Sequence, residues 1–219
     1  MLPRILEPEV MDTAEEARDY DAMDHAAVNR LFAADFLAAW DGRIPILDCG
    51  TGTAQIPIEL CRQSAAARVV AIDLAEHMLQ QGGENVRRAA LQDRIELRCA
   101  DAKQLPFPPG HFGAVMSNSI VHHIPEPLAV LTEMVRVTVP GGLLFVRDLM
   151  RPADEATVRH LVATYAAEAN AHQQKMFADS LRAALTLDEI RGLIAALGFD
   201  PATVRATSDR HWTWSARKP

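Results

Sequence analysis

Acidic residues end or follow three apolar segments that are typical of buried strands. Asp48 stands at the end of the first segment, Asp73 at the end of the second, and Asp101 just after the third. In open α/β sheets, ligands bind at the carboxyl ends of the strands. Carboxylates there can hold an ammonium group near Asp48, ribose hydroxyls at Asp73 and the amine of an adenine at Asp101. Asp48 or Asp101 alone also fits a residue that caps a helix or turn, but the three together favour a ligand site.

A glycine-rich turn joins the first of these strands to the next helix. Gly50 and Gly52 allow the backbone to turn tightly and to come close to a ligand. A dinucleotide-binding turn has the pattern G-x-G-x-x-G, but its third glycine position is Gln55 here. The Gly-Lys-Ser or Gly-Lys-Thr of a phosphate loop is also missing from the turn. An NAD-linked oxidoreductase on the same scaffold is therefore disfavoured.

Two histidines and an Arg-Asp pair follow the fourth and fifth predicted strands. We predict His123 as a general base or substrate contact and His122 as a substrate contact, although both also fit local packing beside Pro125. Asp148 is a second catalytic candidate. Arg147 either binds a carboxylate or phosphate of the substrate or pairs with Asp148. The sequence has neither an H-x-x-x-H spacing on a helix nor an evident carboxylate–histidine set, so no metal site is predicted.

Strands and helices alternate through the middle of the chain, which is typical of a parallel, doubly wound sheet. The predicted strands are 45–48, 68–72, 94–98, 112–117 and 143–146, with helices at 54–63, 75–91 and 127–137. Gly82 and Gly83 each cost about 1 kcal/mol inside a helix and indicate a bend or break. Pro140 to Gly142 indicates a turn before the fifth strand.

The two ends of the chain depart from this alternation. Helix capping boxes and apolar residues at helical spacing predict helices there, and two short runs separated by a polar turn predict a β-hairpin. The expected elements are a capped helix from Thr13, one or two helices over 24–40, a long helical stretch over 154–185, a capped helix from Thr186 to about 197, and a hairpin of runs 202–207 and 211–216.

Four segments, in a fixed order, carry a family resemblance. They are LDCGTGTA, VVAIDLAEHML, CADAKQLPFPPGHFGAVMSNSIVHHI and LTEMVRVTVPGGLLFV, and they lie between Ile46 and Leu149. With this set the chain resembles the class I S-adenosylmethionine-dependent methyltransferases, in particular the small-molecule group that includes the ubiquinone and menaquinone biosynthesis enzymes. One departure is Ala54, where many relatives have a third glycine and a small residue is tolerated.

The resemblance implies a role for each strand end, with S-adenosyl-L-methionine as cofactor and S-adenosyl-L-homocysteine as product. The methionine end of the cofactor would be held by Asp48, Gly50, Thr51, Gly52 and Asn118, the ribose by Asp73 with Leu74 and Met78 nearby, and the adenine by Asp101 and Ala102.

The resemblance and the predicted elements together imply the architecture. We expect one α/β domain over 1–219, with a doubly wound, Rossmann-like sheet of seven mainly parallel strands and a C-terminal β-hairpin edge. Its expected parts are an N-terminal helical lid at 1–42, a cofactor-binding core at 43–150, a helical insert after strand five at 151–185, and the last helix with the closing hairpin at 186–219.

The lid and the insert are the expected substrate side, because in the resembling family these regions cover the pocket and set substrate choice. Tyr20, His25 and Asn29 are substrate-binding candidates, and a solvated helix face is the alternative for each. The insert either roofs the pocket or forms the contact of a homodimer, and the sequence leaves both open.

Composition restricts the partners and the location. The net charge is −7 and the basic residues are scattered, which disfavours a nucleic-acid substrate. Apolar runs fall short of the roughly 20 residues that cross a bilayer, and charges in 1–10 exclude the apolar core of a secretion signal. Cys49, Cys61 and Cys99 lie far apart in apolar segments, which favours a reducing, cytoplasmic setting.

The sequence thus predicts an enzyme that transfers a methyl group to a small-molecule acceptor by direct displacement, for which positioning is the main task. An inactive relative that keeps the cofactor site is one alternative. A nucleic-acid methyltransferase is another, which the acidic charge disfavours. The segment that starts at Asn118 also differs from the N-P-P-Y type of motif used on exocyclic base amines.

Overall fold

The computed structural model describes residues 2–7, 12–23 and 25–219. Asp24, with which the predicted helical stretch begins, and residues 1 and 8–11 of the leading segment lie outside the described residues. The strands are β1 (Ile46–Cys49), β2 (Val69–Asp73), β3 (Ile95–Cys99), β4 (Phe112–Asn118), β5 (Thr138–Leu149), β6 (Val204–Ala206) and β7 (His211–Arg217). The helices are α1 (Ala14–Ala22), α2 (Ala26–Ala39), α3 (Gln55–Gln63), α4 (Glu76–Arg88), α5 (Pro127–Val137), α6 (Glu155–Tyr165), α7 (Ala171–Ala183) and α8 (Leu187–Ala196).

The seven strands form one sheet in the order β3-β2-β1-β4-β5-β7-β6. Strand β1 pairs in parallel with β2 on one side and with β4 on the other, so the strand order reverses at β1. Strands β6 and β7 pair antiparallel at the edge. This topology confirms the predicted seven-stranded, doubly wound α/β fold with a C-terminal hairpin.

The chain divides into two compact units that are interleaved in sequence. The core unit consists of 10–118, 129–146 and 215–219, and the insert unit consists of 1–9, 119–128 and 147–214. The prediction of one domain with a lid, a core and an insert stays a prediction. No helix within the described ranges is both long enough and apolar enough to span a bilayer.

Apolar side chains from helices and strands fill the interior of the core unit. Phe32 and Phe36 of α2 meet the ring of Phe145 edge-on, with centroids 5.3 and 5.8 Å apart. Such aromatic pairs contribute about 0.5–1.5 kcal/mol beyond the burial of their area. Helix α2 therefore packs on the sheet through its aromatic face, and it lies within the range 24–40 that the helical spacing of apolar residues predicts.

The insert unit has a smaller apolar cluster of its own. Leu149, Val158, Leu161 and Leu181 are buried there, and α6 and α7 contribute three of the four. The helical stretch predicted over 154–185 consists of two helices, α6 and α7. The second begins at Asn170, whose side chain forms a capping box with Gln173.

The structure also bears on two expectations about glycine, and the turn expected at Pro140 to Gly142 is wrong. Pro140 to Gly142 is part of β5 and not a turn before it, because the Gly141 N–H donates to the carbonyl of Lys218, and the Lys218 N–H donates to that of Gly142. Helix α4 runs without a break through Gly82 and Gly83. A Cβ on Gly82 would lie 3.3 Å from both the Ala54 Cβ and the Thr53 carbonyl carbon, so this glycine permits close packing of α4 on the turn after β1.

The two glycines of α4 should therefore respond differently to alanine. A Cβ on Gly83 would meet its nearest neighbours, Arg87 and Leu97, at 3.6 and 3.9 Å, which is ordinary contact. We expect Gly83→Ala to raise the free energy of unfolding by about 0.5–1 kcal/mol, because alanine is the better helix former. Gly82→Ala should raise the free energy of unfolding by less than half of that amount, or lower it. Urea unfolding of both variants measures the difference, and equal gains would contradict the packing of Gly82.

Candidate cofactor site and histidine cluster

The turn after β1 has a left-handed backbone at three positions. Gly50 has a φ of +73°, Gly52 of +54° and Ala54 of +62°. Glycine adopts such angles without strain, whereas alanine pays a cost of about 1–2 kcal/mol. The N–H groups of Gly50 and Thr51 both donate to the carbonyl of Ile72, at 2.9 Å each. Ala54, where many members of the resembling family have a third glycine, thus lies at a position whose backbone conformation favours glycine.

The carboxylate of Asp73 holds this turn in place. Its Oδ2 accepts a hydrogen bond of 2.7 Å from the Gly52 N–H, and its Oδ1 accepts one of 2.9 Å from the Ala75 N–H. Burial raises the pKa of Asp73, although these backbone N–H groups oppose the rise. The predicted ribose acceptor therefore also joins the carboxyl end of β2 to the glycine turn.

Asp48, the second-last residue of β1, has a buried carboxylate and is 2% exposed. Burial raises its pKa to about 7, the nearby Asp73 carboxylate adds to the rise, and the Thr51 hydroxyl opposes it. A buried carboxylate costs free energy when it is ionised unless a cation compensates it. An ammonium group of a ligand would provide that compensation.

The ring of Tyr20 lies on the glycine turn. A Cβ on Gly52 would be 3.5 Å from Cε1 of Tyr20. Burial raises the pKa of the Tyr20 hydroxyl, and the carboxylates of Asp73 and Asp48 raise it further. The structure therefore brings this predicted substrate contact to the cofactor candidates. His25, at the N-terminus of α2, has its ring centroid 5.3 Å from that of Tyr20.

The carboxylate of Asp21, a residue that is not among the predicted site residues, accepts hydrogen bonds from three side-chain amides. It accepts from Asn85 Nδ2 at 2.7 Å, from Gln55 Nε2 at 2.9 Å and from Gln81 Nε2 at 3.0 Å. Burial alone would raise the pKa of Asp21, but these bonds outweigh it and the pKa is lowered. The predicted substrate contact Asn29 is buried and donates to Gln55 Oε1 at 3.1 Å. Two side-chain amides of α4 and one of α3 thus connect α1 to the rest of the core unit. Short sequence windows do not reveal this pattern, because its residues lie far apart in the chain.

The remaining cofactor candidates lie at the ends of β2, β3 and β4. Leu74 is 41% exposed, whereas Met78 is buried against Ala17 and Ala75. Asp101 accepts a hydrogen bond of 2.8 Å from the Lys103 N–H. It therefore caps a turn, which is the alternative to a ligand contact given in the sequence analysis. Ala102 and Asn118 are both half-buried.

A cluster of histidines and carboxylates forms within the insert unit. Nδ1 of His122 lies 2.5 Å from Oδ1 of Asp148, and both side chains are almost fully buried. Oε1 of Glu7 lies 3.4 Å from Nε2 of His122 and 3.1 Å from Nδ1 of His123. Burial would lower the pKa of His122, but Asp148 and Glu7 outweigh it and raise the pKa.

Glu7 and Arg4 are members of this cluster that the sequence analysis missed. Arg4 donates to the carbonyls of Ala183, Ile124 and His122, at 2.7, 2.9 and 3.1 Å. These bonds fix the segment 2–7 beside the histidines. Since 115 positions separate Glu7 from His122 in the sequence, local spacing could not reveal the contact.

Arg147 and Asp148 have different surroundings. Arg147 is buried, and its Nε donates to Oγ1 of Thr213 at 2.9 Å. The Asp148 carboxylate accepts from the N–H groups of His122 and Leu149 as well as facing the His122 ring. Asp148 is therefore in a position to orient His122.

The sheet order and the glycine-rich turn after β1 define a Rossmann-like domain. Residues 47–146 match the family described as methyltransferase domain. The 27-O-demethylrifamycin SV methyltransferase of Amycolatopsis mediterranei is 25% identical over 176 residues, which cover 79% of this chain and 61% of that protein. The demethylmenaquinone methyltransferase of Clavibacter sepedonicus is 37% identical over 110 residues, which cover 50% of this chain and 42% of that protein.

Solved structures give the same picture of the fold. A SAM-dependent methyltransferase from Aquifex aeolicus superposes with a TM-score of 0.67 at 17% identity, covering 95% of this chain and 100% of that one. The predicted resemblance is confirmed for the segment 47–146, which is a methyltransferase domain. The chain spans less than two thirds of the length of the two sequence relatives above, 61% and 42%.

Cofactor binding should depend on pH through Asp48. Because the pKa of Asp48 is about 7, its carboxyl becomes protonated as the pH falls below that value and can no longer pair with an ammonium group. We expect affinity for S-adenosylmethionine to fall by up to tenfold for each pH unit below about 7. Calorimetric titrations between pH 5.5 and 8 measure this slope.

Asp48→Asn and 5′-methylthioadenosine, which has no ammonium group, are the controls for that slope. Both the variant with the full cofactor and the wild type with the truncated ligand should bind with little dependence on pH. A slope that persists in Asp48→Asn would contradict the assignment.

Proposed function

We propose that the whole protein is a methyltransferase that uses S-adenosylmethionine to methylate a small-molecule acceptor. The observation that carries the proposal is the pre-formed turn at the end of β1, with Asp73 on the Gly52 N–H and Asp48 buried beside it. When bound, the cofactor supplies a methyl group already activated by its sulfonium. The work left to the protein is to position the acceptor and to exclude water.

The residues at the strand ends fit the parts of this cofactor. Asp48 would hold the ammonium, with Thr51, Asn118 and the N–H groups of the glycine turn around the methionine end. Asp73 would bind the ribose beside Leu74 and Met78, and Asp101 with Ala102 would face the adenine. Support comes from the burial of the Asp48 carboxylate, which is 2% exposed and whose pKa burial raises to about 7, so an ammonium group beside it would stabilise its ionised form.

On the acceptor side, we propose His123 as the general base. Its side chain is 20% exposed, whereas that of His122 is 4% exposed. His122 and the buried Asp148 would then act as positioning residues rather than as groups that touch the acceptor. Tyr20, His25, Asn29 and Arg147 remain proposed acceptor contacts, and Tyr20 is the one best supported by its place on the glycine turn.

The proposal includes the kind of partner and the location. A small-molecule acceptor is favoured over nucleic acid by the net charge of −7. Two matched relatives are named as methyltransferases of 27-O-demethylrifamycin SV and of demethylmenaquinone, which supports this acceptor class. Three free thiols, those of Cys49, Cys61 and Cys99, suit a reducing cytoplasm. A homodimer also stays a prediction, which sedimentation can test.

Transfer of a labelled methyl group tests the proposal directly. We expect the purified protein to move label from S-adenosylmethionine into the small-molecule fraction of a cell extract and not into its RNA or DNA. Label in nucleic acid would contradict the acceptor class. Cofactor binding without transfer to any fraction would favour the inactive relative.

His123→Ala tests the proposed base once an acceptor is identified. A positioned base contributes about 10²–10⁴-fold, so kcat should fall by at least 100-fold while cofactor affinity stays within twofold of the wild type. His160→Ala is the matched control, because His160 is exposed on α6 of the same unit. Equal activity of both variants would leave His123 without a catalytic role.

A further inference from the structure

The atoms of Glu7, His122 and His123 converge on one point within the insert unit. Their ligand atoms, one from each side chain, all lie within 4.8 Å of one another. Oε1 of Glu7 is 3.4 Å from Nε2 of His122 and 3.1 Å from Nδ1 of His123. Zinc binds such atoms at about 2.0–2.2 Å, so in a tetrahedral site two ligand atoms stand about 3.3 Å apart.

We propose that Glu7, His122 and His123 form a binding site for a zinc ion. One carboxylate and two imidazoles are a donor set that suits zinc and leaves its fourth position to water or to another ligand. The sequence predicts no metal site, because no local spacing joins Glu7 to the histidines. The proposal concerns binding of the ion and does not rest on methyl transfer.

The surroundings of His122 orient it as a ligand. Its Nδ1 faces the Asp148 carboxylate at 2.5 Å, which favours a proton on Nδ1, so Nε2, on the side of Glu7, would be the atom that binds the ion. Metal-bound histidines usually have such a carboxylate on their second nitrogen, and it fixes the tautomer and raises the basicity of the ring. Asp148 would thus act as the outer support of the site.

Glu7 is also held in place. Ser180 of α7 donates its hydroxyl to Oε1 of Glu7 at 3.0 Å. The guanidinium of Arg4 fixes the adjacent backbone by donating to carbonyls at 2.7–3.1 Å. Arg4 brings one positive charge near the site, and the carboxylates of Glu7 and Asp148 bring two negative ones, so the surroundings favour a cation.

An ion at this point would change the chemistry of the cluster. Nδ1 of His123 would be used as a ligand, so the base role proposed above for this ring applies to the protein without zinc. The ion would instead acidify whatever occupies the fourth position, since zinc lowers the pKa of a bound water to about 7. The proton released goes to solvent, and no electron is transferred.

Calorimetric titration of Zn²⁺ into the full chain, freed of metal by a chelator and without cofactor, tests the site. We expect one ion per chain with a Kd in the micromolar range or below, and a rise in Tm when the ion is present. Co²⁺ in place of zinc should give the strong visible absorption of a four-coordinate site. A stoichiometry near zero, with no change in Tm, would overturn the proposal.

Matched variants locate the ion. Glu7→Gln and His123→Gln each remove one ligand and should weaken zinc binding at least tenfold, while Asp148→Asn should weaken it 10–100-fold through His122. His160→Gln, which removes an exposed histidine of α6, should bind as the wild type does.

Glu7→Gln keeps an oxygen for the Ser180 hydroxyl, so it remains informative if Asp148→Asn fails to fold. Its Tm without zinc checks that it is folded. Wild-type affinity in both Glu7→Gln and His123→Gln, or an equal loss in His160→Gln, would place the ion elsewhere and overturn the assignment. Because no readout involves methyl transfer, this result is independent of the test of the proposed function.

Discussion

The cofactor end of the core unit depends on one hydrogen bond, from the Gly52 N–H to the Asp73 carboxylate at 2.7 Å. It fixes a turn whose backbone is left-handed at Gly50, Gly52 and Ala54, a conformation that alanine adopts only at a cost. The same carboxylate holds the Ala75 N–H at the start of α4. Two neighbouring strands, β1 and β2, therefore end in one connected structure that holds the glycine turn in place.

Buried carboxylates recur in both units, and the way each is stabilised distinguishes structural roles from binding roles. Asp21 and Asp148 have lowered pKa values despite burial, because amides stabilise the first and His122 the second. Asp48 and Asp73 have raised pKa values, chiefly from burial. Asp73 already accepts two backbone N–H groups, so Asp48 is the one that an ammonium group of the proposed cofactor would stabilise most. The proposed zinc site at Glu7 rests on the geometry of its cluster.

The sequence predicts those features whose cause is local. Strand periods, the capping box at Thr186 and the acidic strand ends are all visible in short windows, and the structure confirms the elements. The turn expected at Pro140 to Gly142 is instead strand, because its partner is Lys218, far along the chain. The hydrogen bonds of Asp21 and the contact of Glu7 with the histidines have the same origin. Each joins residues distant in sequence, so only the folded chain brings them together.

Calorimetric titration with S-adenosylmethionine, S-adenosylhomocysteine and NAD is the most direct test of the central claim, that the strand ends hold an adenosyl cofactor. We predict micromolar binding of the two adenosyl ligands and none of NAD. Asp73→Ala should weaken that binding at least tenfold, because both the turn and the ribose lose their acceptor, whereas Asp93→Ala, at an exposed aspartate of the core unit, should leave it unchanged. Binding of NAD alone, or unchanged affinity in Asp73→Ala, would contradict the account.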